Sequence, residues 1–417
     1  MKDDTVRSVS DPASSPRDVL TEILRARARE LLEAALDAEV AEYVEAFREL
    51  RDTKGLRLVV RNGYKPEREV QTGLGAVPVK PPRVNDRRSD EDGERLRFES
   101  KILPRYMRRT RSLDELIPWL YLKGVSTGDM SDALAAILGK NAPGLSASTV
   151  VRLKEGWEEE FKAWSSRSLD GKRYVYFWVD GIYANVRLEE DRPCILVVLG
   201  ATAEGVKELV AVQDGYRESE QSWLELLVGL KNRGLGEGPE LVVGDGALGF
   251  WKAVKKIYPK ARWQRCWVHK TANVLNKLPK KSHGAAKGAI QEIWMAETKE
   301  AAEKALDTFE EAYGAKYPKA VECLAKDREA LLTFYDFPAE HWLHLRTTNP
   351  IESTFATVKL RTAKTKGAGS RLACLTMVWK LAQAAERRWR ALNGGSQLIA
   401  DVIAGVRFKD GIKEAAA

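Results

Sequence analysis

The strongest constraint on the fold of this chain is an alternation of strand-like and helix-like segments between residues 173 and 266. Three apolar strand-like segments come first, and helix, strand, helix and strand follow in turn. This alternation predicts an α/β fold. The predicted strands lie at about 173–187, 194–202, 207–213, 240–244 and 262–266, and the predicted helices at 219–232 and 247–257. This order of elements is that of a ribonuclease-H-like core.

The first hundred residues combine a long helix with short strands. Apolar periodicity predicts a helix over residues 17–50, and residues 55–82 contain short strand patterns with a turn at Asn62-Gly63. The charge-dense stretch 83–97 is typical of a linker. Residues 1–16 are polar, with Ser, Asp and Pro, and their composition predicts disorder.

Residues 112–164 have the pattern of three short helices. The candidate N-terminal caps of these helices are Ser112, Ser126, and either Ser146 or Ser148. Short helices followed by a helix that opens with Ser, Thr and basic residues are typical of a loose helix-turn-helix. A packed three-helix bundle explains the same pattern. Within the third helix, Arg152 and Lys154 are the candidate DNA contacts.

The remainder of the chain is helical. Residues 270–340 are rich in Ala and Lys and contain no strand pattern, and the last helices are predicted at about 349–361 and 370–392. The predicted fold class is therefore α/β, with a ribonuclease-H-like core that an all-α insertion interrupts. A mainly helical region precedes this core.

Composition restricts the compartment and the partners. Of the 417 residues, 44% are hydrophobic, and no apolar run approaches the length of a membrane helix. The N-terminus has no apolar stretch of the signal-peptide kind, and four cysteines do not make a disulfide framework in a chain this long. We therefore predict a cytoplasmic protein with no membrane partner. The net charge of +8 is compatible with a polyanionic partner without requiring one.

Three carboxylates stand in distinctive settings. Asp180 interrupts the apolar strand YVYFWVDGIY, Asp245 ends the strand LVVGDG, and Glu352 lies in TTNPIES at the start of a late helix. Carboxylates from such elements can converge to hold two Mg²⁺ ions, because hard cations prefer carboxylate oxygen. Paired ions suit in-line displacement at phosphorus. The pattern therefore predicts an enzyme that cuts or joins nucleic-acid backbones.

Each carboxylate also has a purely structural explanation. Asp180 could face solvent on a half-exposed strand, and Asp245 could be a turn or N-cap residue. Glu352 could belong to a capping box in which Asn349 is the cap and Pro350 is the first helical residue. The three residues together, on these elements, are more specific than any one of them.

The segment Cys266-Trp267-Val268-His269 contains two further candidates. Cys266 and His269 could form half of a zinc site, with His341 and His344 as the other half. Structural zinc usually has two tight, cysteine-rich pairs. We therefore favour a polar pair that lies beside the catalytic centre and is delivered by the fifth strand.

A basic stretch follows Glu352 and contains Gly367 and Gly369. Its cations are candidates for phosphate binding, although a solvated cationic face explains them too. They are Lys359, Arg361, Lys364, Lys366 and Arg371.

Taken together, these residues reveal a resemblance. From about residue 17 to 411, the chain resembles the Mutator-type transposases of bacterial insertion sequences. The most specific matching segments are RNGYKPEREVQTGLG (61–75), LPRYMRRTRSLDELI (103–117), YLKGVSTGDM (121–130), VDGIYANVRLE (179–189), DGYRESEQSW (214–223), VGDGALGFWKAV (243–254), QRCWVHKTANVLNKLP (264–279) and LRTTNPIESTFATVKLRTAKTKGAGSR (345–371).

The resemblance implies an Asp-Asp-Glu transposase whose metal-binding triad is Asp180, Asp245 and Glu352. The family's Cys/Asp-x-x-His motif falls on Cys266 and His269. The implied cofactor is a pair of Mg²⁺ ions, for which Mn²⁺ can substitute. The implied partners are double-stranded DNA, as terminal inverted repeats and target, and further copies of the chain in a homodimer or higher synaptic oligomer.

The expected function is binding of the terminal inverted repeats of an insertion sequence, followed by metal-dependent strand cleavage and strand transfer in the nucleoid of a bacterium. The alternatives are a ribonuclease-H-type nuclease without strand transfer and a non-catalytic DNA-binding repressor. The expected domains are a disordered N-terminus (1–16), a DNA-binding region (17–111), the three-helix segment (112–170), the first part of the core (171–269), the helical insertion (270–345) and the second part of the core (346–417).

Overall fold

A computed structural model of the chain describes residues 19–90, 93–123, 125, 129–138, 147–183, 186, 194–215, 217–364 and 370–414. The chain divides into two compact units, Met1–Glu155 and Gly156–Ala417. No described helix has both the length and the apolar character that crossing a membrane requires. The predicted disordered segment 1–16 lies outside the described residues.

In the described part of the N-terminal unit, a long helix precedes four short strands and two short helices. These elements are α1 (Val19–Ala46), β1 (Val59–Tyr64), β2 (Arg68–Thr72), β3 (Gly75–Val79), β4 (Pro82–Asp86), α2 (Arg111–Leu122) and α3 (Met130–Leu138). The strands form two antiparallel pairs, β1 with β4 and β2 with β3. Two small apolar clusters stabilise the unit, one joining α1 to β2 and β3 and the other joining α2 to α3.

Two features of the strand region differ from the prediction. The predicted turn Asn62-Gly63 lies inside β1, where the pairing with β4 is irregular between Arg61 and Tyr64. Gly63 has a φ of 66° there, which glycine adopts without a Cβ clash, so the pair marks an irregular strand instead of a hairpin. Residues 83–86, which we assigned to a linker, belong to β4 (Pro82–Asp86).

The first of the three short helices begins earlier than predicted. Arg109 pairs with Gln71 as an isolated bridge, and Thr110 is still extended. The helix α2 therefore starts at Arg111, and Ser112 lies in its first turn instead of capping it. The third helix is α4 (Ala147–Ser165), in which the boundary between the two units falls. Of the other predicted caps, Ser148 is the second residue of α4, and Ser126 and Ser146 lie outside the described residues.

The C-terminal unit contains the predicted alternation of strands and helices. Its described strands are β5 (Tyr174–Tyr183), β6 (Cys194–Thr202), β7 (Lys207–Gly215), β8 (Leu241–Gly244), β9 (Arg262–Arg265), β10 (Phe408–Lys409) and β11 (Ile412–Lys413). Its described α-helices are α5 (Glu220–Asn232), α6 (Leu248–Ile257), α7 (Trp267–Leu275), α8 (His283–Met295), α9 (Lys299–Gly314), α10 (Pro318–Ala325), α11 (Arg328–Leu332), α12 (Trp342–Leu345), α13 (Asn349–Lys364), α14 (Arg371–Glu386) and α15 (Gly395–Ile403). The α/β prediction is confirmed.

One mixed sheet of five strands, in the order β7–β6–β5–β8–β9, forms the centre of this unit. The strand β6 is antiparallel to β5 and β7, whereas β8 is parallel to both β5 and β9. The carboxyl ends of β5, β7, β8 and β9 therefore meet at one edge of the sheet.

The central strand β5 is buried on both faces, and its side chains alternate between them. Phe177 and Val179 belong to the main apolar cluster, which α5 and α6 complete. Tyr176 and Trp178 point to the other face, where they hydrogen-bond to the segment 341–344. Asp180 continues this second series at the carboxyl end of the strand.

Candidate active site

Asp180 and Asp245 reach one level of the sheet because β5 and β8 are parallel neighbours. Trp178 pairs with Val243, and each aspartate lies two residues further along its own chain. Asp180 is only 8% exposed, and its Oδ1 accepts a 2.8 Å hydrogen bond from the N–H of Gly181. The solvent-facing alternative for Asp180 is therefore wrong.

The turn after β8 fixes the position of Asp245. The Oδ1 atom of Asp245 accepts a 2.9 Å hydrogen bond from the N–H of Ala247. Gly246 has a φ of 93°, and a Cβ there would lie 1.9 Å from the guanidinium of Arg265. Only glycine fits this turn. Asp245 thus has the turn role that its sequence suggested and still lies at the sheet edge beside Asp180.

A further carboxylate, Glu218, completes this edge. Oxygen atoms of Asp180, Glu218 and Asp245 all lie within 4.8 Å of one another, and we call these three residues the acidic cluster. Glu218 lies three residues after the end of β7 at Gly215, and β7 also ends at this edge. The sequence analysis did not single out Glu218, although an acidic residue just beyond a core strand was the signal that could have found it.

The acidic cluster has an unusual electrostatic state. Burial raises the pKa of Asp180 to about 7, and repulsion from Asp245 and Glu352 acts in the same direction against the attraction of His269. Burial likewise raises the pKa of Glu218 to about 8, with repulsion from Asp245 and Asp180 adding to it. None of the three carboxylates forms an ion pair with a lysine or arginine in the described part of the chain. The cluster therefore has no lysine or arginine charge beside it among the described residues, and burial and mutual repulsion keep protons on Asp180 and Glu218 up to near-neutral pH.

Glu352 lies in a second group, together with Cys266 and His269. One ligand atom from each of the three lies within 4.8 Å of the others. The buried hydroxyl of Thr348 joins them: it donates to Glu352 Oε1 at 2.8 Å and lies 3.3 Å from Cys266 Sγ and 3.5 Å from His269 Nδ1. We call these four residues the thiol–imidazole cluster.

The positions of Cys266 and His269 differ from the prediction. The strand β9 ends at Arg265, and both residues belong to α7, with Cys266 as its N-cap and His269 in its first turn. The N–H of Cys266 donates to the carbonyl of Gly244 at 2.8 Å, which fixes the helix start beside β8. A hydrogen bond with Cys266 raises the pKa of His269 to about 9, although burial opposes it.

The capping box predicted for Glu352 is also wrong. The helix α13 begins at Asn349, so Asn349 is not its cap and Pro350 is its second residue. The side chain of Glu352 receives the Thr348 hydroxyl, while its N–H donates to the Thr348 carbonyl at 3.1 Å. Ile351, the neighbouring residue of α13, is buried, and its burial orients this face of the helix towards the sheet.

The four-residue zinc alternative is not formed. His341 Nδ1 lies 2.8 Å from the hydroxyl of Tyr176, and His344 Nδ1 lies 3.2 Å from Nζ of the buried Lys207. Neither histidine belongs to a described group of residues that could hold a metal ion. Both histidines therefore belong to the buried second face of the sheet.

The candidate DNA contacts are only partly described. Arg152 and Lys359 are exposed, and the guanidinium of Arg371 lies 3.7 Å from the carboxylate of Asp214. Lys366 and the side chains of Lys154, Arg361 and Lys364 lie outside the described residues.

The N-terminal unit has a cationic surface of its own, which we call the basic groove. It lies between the end of β4 and the segment 95–105, and only two carboxylates, Asp86 and Glu99, line it. Its basic lining residues are Lys65, Arg68, Arg83, Arg95, Arg97 and Arg105. Arg68 and Arg95 donate to backbone carbonyls. The other four are exposed and form no ion pair with the described residues.

Comparison with known proteins identifies the family. The model of the Mutator family of transposases matches residues 3–391. The transposase for insertion sequence element IS6120 of Mycolicibacterium smegmatis is 54% identical over 72% of this chain and 92% of its own length. The transposase for IST2 of Acidithiobacillus ferrooxidans is 52% identical over 68% of this chain and 95% of its own length. That for ISRM5 of Rhizobium meliloti is 30% identical over 93% and 92%, respectively. The chain belongs to the Mutator family of transposases.

Proposed function

We propose that this transposase cuts DNA at the ends of an insertion sequence and joins the freed ends to target DNA, with divalent ions held by Asp180, Asp245 and Glu352. The main observation in support is that Asp180 and Asp245 converge at the same height of two adjacent parallel strands, where no described lysine or arginine acts as their counter-ion. A buried carboxylate pair of this kind is costly unless a cation neutralises it. The family membership supports the same reading.

The donor set fits Mg²⁺ or Mn²⁺. Every residue of the acidic cluster offers carboxylate oxygen, the ligand that hard divalent cations prefer. When bound, such ions lower the pKa of a water or a DNA 3′-hydroxyl and stabilise the leaving oxygen. Glu352 would approach this centre from the first turn of α13.

The protein side chains would orient and neutralise the reacting groups. The positively charged His269, whose pKa is raised to about 9, can donate a hydrogen bond to a phosphate oxygen near Glu352. The Thr348 hydroxyl holds Glu352 in one rotamer, which supports a fixed geometry. One site could perform both cleavage and joining, because only the nucleophile changes between the two steps.

The architecture supports a ribonuclease-H-like core. Three antiparallel strands followed by two parallel strands, with α5 and α6 on one face, match that expectation. We further propose that residues 270–345 are the insertion domain, since they are helical throughout and connect the fifth strand to the Glu352 helix.

We propose that the N-terminal unit binds the terminal inverted repeats. The exposed cations of the basic groove suit phosphate contacts, which supply affinity and register. The exposed Arg152 on α4 remains the candidate for contacts to bases.

A single experiment separates the candidate functions. The purified chain is incubated with labelled element ends, target DNA and Mg²⁺, and the cut strands and joined products are mapped. We expect cleavage at the element end and covalent joining to target. Cleavage without joining would favour a ribonuclease-H-type nuclease, and binding without cleavage would favour a repressor.

A further inference from the structure

We infer that Glu218 is a ligand of the ion held between Asp180 and Asp245, so that this ion has three carboxylate residues from the protein. The inference rests on the proposed function, because it concerns the metal centre of the same site. It assigns the acidic cluster to one ion and leaves Glu352, in the thiol–imidazole cluster, for the other.

The first support is the space that Gly181 leaves. A Cβ at Gly181 would lie 3.1 Å from the carboxyl carbon of Glu218 and 3.2 Å from its Oε1. The Glu218 carboxylate therefore lies directly against the β5 backbone, one residue beyond Asp180. A Cβ at this position would also lie 3.0 Å from Sγ of Cys194, so a larger residue at position 181 would force these neighbours to shift by a few tenths of an ångström.

The second support is the anchoring of the loop that carries Glu218. Its N–H donates to the hydroxyl of Tyr183 at 3.4 Å. The next residue, Ser219, is the N-cap of α5 and accepts from the N–H of Ser222. Glu218 is thus fixed between a strand end and a capped helix.

The third support is the contact between the starts of α5 and α6. A Cβ at Gly249 would lie 2.5 Å from the backbone nitrogen of Glu220, so the two helix starts touch. Glu218 precedes one of these helices and Asp245 precedes the other. The contact therefore sets the separation of the two carboxylates, as a metal site requires.

The test measures ion binding without DNA. Binding of Mn²⁺ to the full-length chain is followed by calorimetry, and the unfolding midpoint is measured with and without Mn²⁺. Glu218→Gln should weaken Mn²⁺ binding at least about tenfold and remove much of the Mn²⁺-dependent stabilisation. The midpoint without Mn²⁺ should not fall, because the substitution leaves two carboxyl groups where three were crowded together.

Two further variants complete the test. Glu225→Gln is the matched control: Glu225 is exposed on α5 and accepts from Gln221, so its variant should bind Mn²⁺ like the parent. Glu218→Asp retains the charge but shortens the side chain, and should bind Mn²⁺ with intermediate affinity.

The outcomes separate the inference from the proposed function. If Asp180→Asn loses Mn²⁺ binding while Glu218→Gln retains the parental affinity, Glu218 is not a ligand and only the inference fails. If Asp180→Asn also retains the parental affinity, the metal centre itself is wrong, and the proposed function fails with it.

Discussion

In the N-terminal unit, arginines near the surface hold backbone carbonyls, whereas in the C-terminal unit carboxylates lie at the edge of a large apolar core. Arg25 donates to the carbonyl of Leu74 at 2.7 and 2.9 Å, and Arg68 donates to the carbonyls of the segment 103–105. Asp180, by contrast, is buried in the central strand of a five-stranded sheet. Arginines of the C-terminal unit also donate to backbone carbonyls, as Arg233 does to that of Ser165. The difference between the units therefore lies in their buried carboxylates: Asp86 of the N-terminal unit pairs with Arg88, whereas Asp180 pairs with no described lysine or arginine.

The difference follows from the size of the cores. The apolar clusters of the N-terminal unit are small, so charge-assisted hydrogen bonds from arginines supplement them. The C-terminal unit has a much larger core, built from the sheet, α5 and α6. Such a core can offset the cost of holding unneutralised carboxylates, which is of the order of several kcal/mol. We accordingly propose that the N-terminal unit binds the polyanion and that the C-terminal unit binds the cations.

The largest expected effect tests the carboxylates of the C-terminal unit. Asp180→Asn, Asp245→Asn and Glu352→Gln should each reduce strand cleavage and joining at least about a thousandfold, because each removes a charge next to the ions. Affinity for the terminal repeat should remain unchanged in filter-binding measurements. Near-normal cleavage by any one of these variants would remove that residue from the site.

The next prediction tests the basic groove of the N-terminal unit. The triple variant Arg83→Ala, Arg97→Ala and Arg105→Ala should weaken binding to the terminal repeat about ten- to a hundredfold and lower the slope of log affinity against log salt by about three. Arg48→Ala is the control, because Arg48 is exposed in the same unit and pairs with Glu45. An unchanged salt slope in the triple variant would exclude the groove from the DNA-binding surface.

The thiol–imidazole cluster should give a smaller effect. Thr348→Val removes the hydroxyl that holds Glu352 and should slow cleavage about ten- to a hundredfold, whereas Thr348→Ser should restore most of the rate. Thr348 acts through Glu352, so Mn²⁺ affinity should fall in parallel with the rate. If Thr348→Val cleaves DNA at the parental rate, the hydroxyl of Thr348 has no role beyond packing.

The same cluster makes a prediction about zinc. His269→Ala should lower cleavage while leaving the unfolding midpoint nearly unchanged, and elemental analysis should find no stoichiometric zinc. The separation of His341 and His344 from Cys266 supports this expectation. One tightly held zinc per chain, lost together with the fold in His269→Ala, would contradict it.

The strands of the C-terminal unit could be predicted because each is a short apolar run between turn residues. The convergence of Asp180 and Asp245 could only be suggested, since parallel pairing joins residues far apart in sequence. Glu218 was not predicted for the same reason. Its loop carries no periodic pattern, and the order of the strands in the sheet brings it to the edge where Asp180 and Asp245 lie.

Local signals were misleading where tertiary contacts override them. Asn349 and Pro350 resemble a capping pair, yet the buried Thr348 is tied to Cys266 and the helix starts one residue earlier. The basic groove could not be predicted as one surface, because Lys65, Arg83 and Arg105 lie in three separate segments that only the fold brings together. The two-residue strands β10 and β11 are too short for any alternation to be seen.

The smallest expected effect concerns pH and again distinguishes the two units, since all histidines of the sequence lie between residues 269 and 344. Burial lowers the pKa of both His341 and His344 to about 4. The positive charge of Lys207 also lowers the pKa of both histidines, and that of Arg390 lowers the pKa of His344. Glu340 opposes the lowering for His341, and hydrogen bonds with Asn393 oppose it for both.

The sign follows from proton binding. A histidine with a folded pKa near 4 and an unfolded pKa of about 6.5 contributes stability that is complete above pH 6.5 and is lost as the pH falls towards 4. The raised pKa values of Asp180 and Glu218 act oppositely, because the stability linked to them is lost as the pH rises through about 7 and 8. Both contributions of Asp180 and Glu218 are the same in a histidine variant and in the parent. The difference between their pH-dependent stabilities therefore gives the contribution of the histidine.

His341→Gln should accordingly lose less stability between pH 7 and pH 5 than the parent does, by several degrees in the unfolding midpoint of the C-terminal unit. Some stability at pH 7 should also be lost, because the contact of His341 with Tyr176 changes. His283→Gln is the control, since His283 is half-buried and its Nε2 lies 3.0 Å from the carbonyl of Leu278, away from the segment 341–344. If the parent and His341→Gln show the same pH dependence while His283→Gln also matches them, the buried histidines do not cause the acid sensitivity of this unit. The N-terminal unit should keep its stability over this pH range. Hydrogen bonds from Arg88 and Tyr43 lower the pKa of Asp86 against the opposing effect of burial, so the stability linked to Asp86 is lost only as the pH falls below about 4.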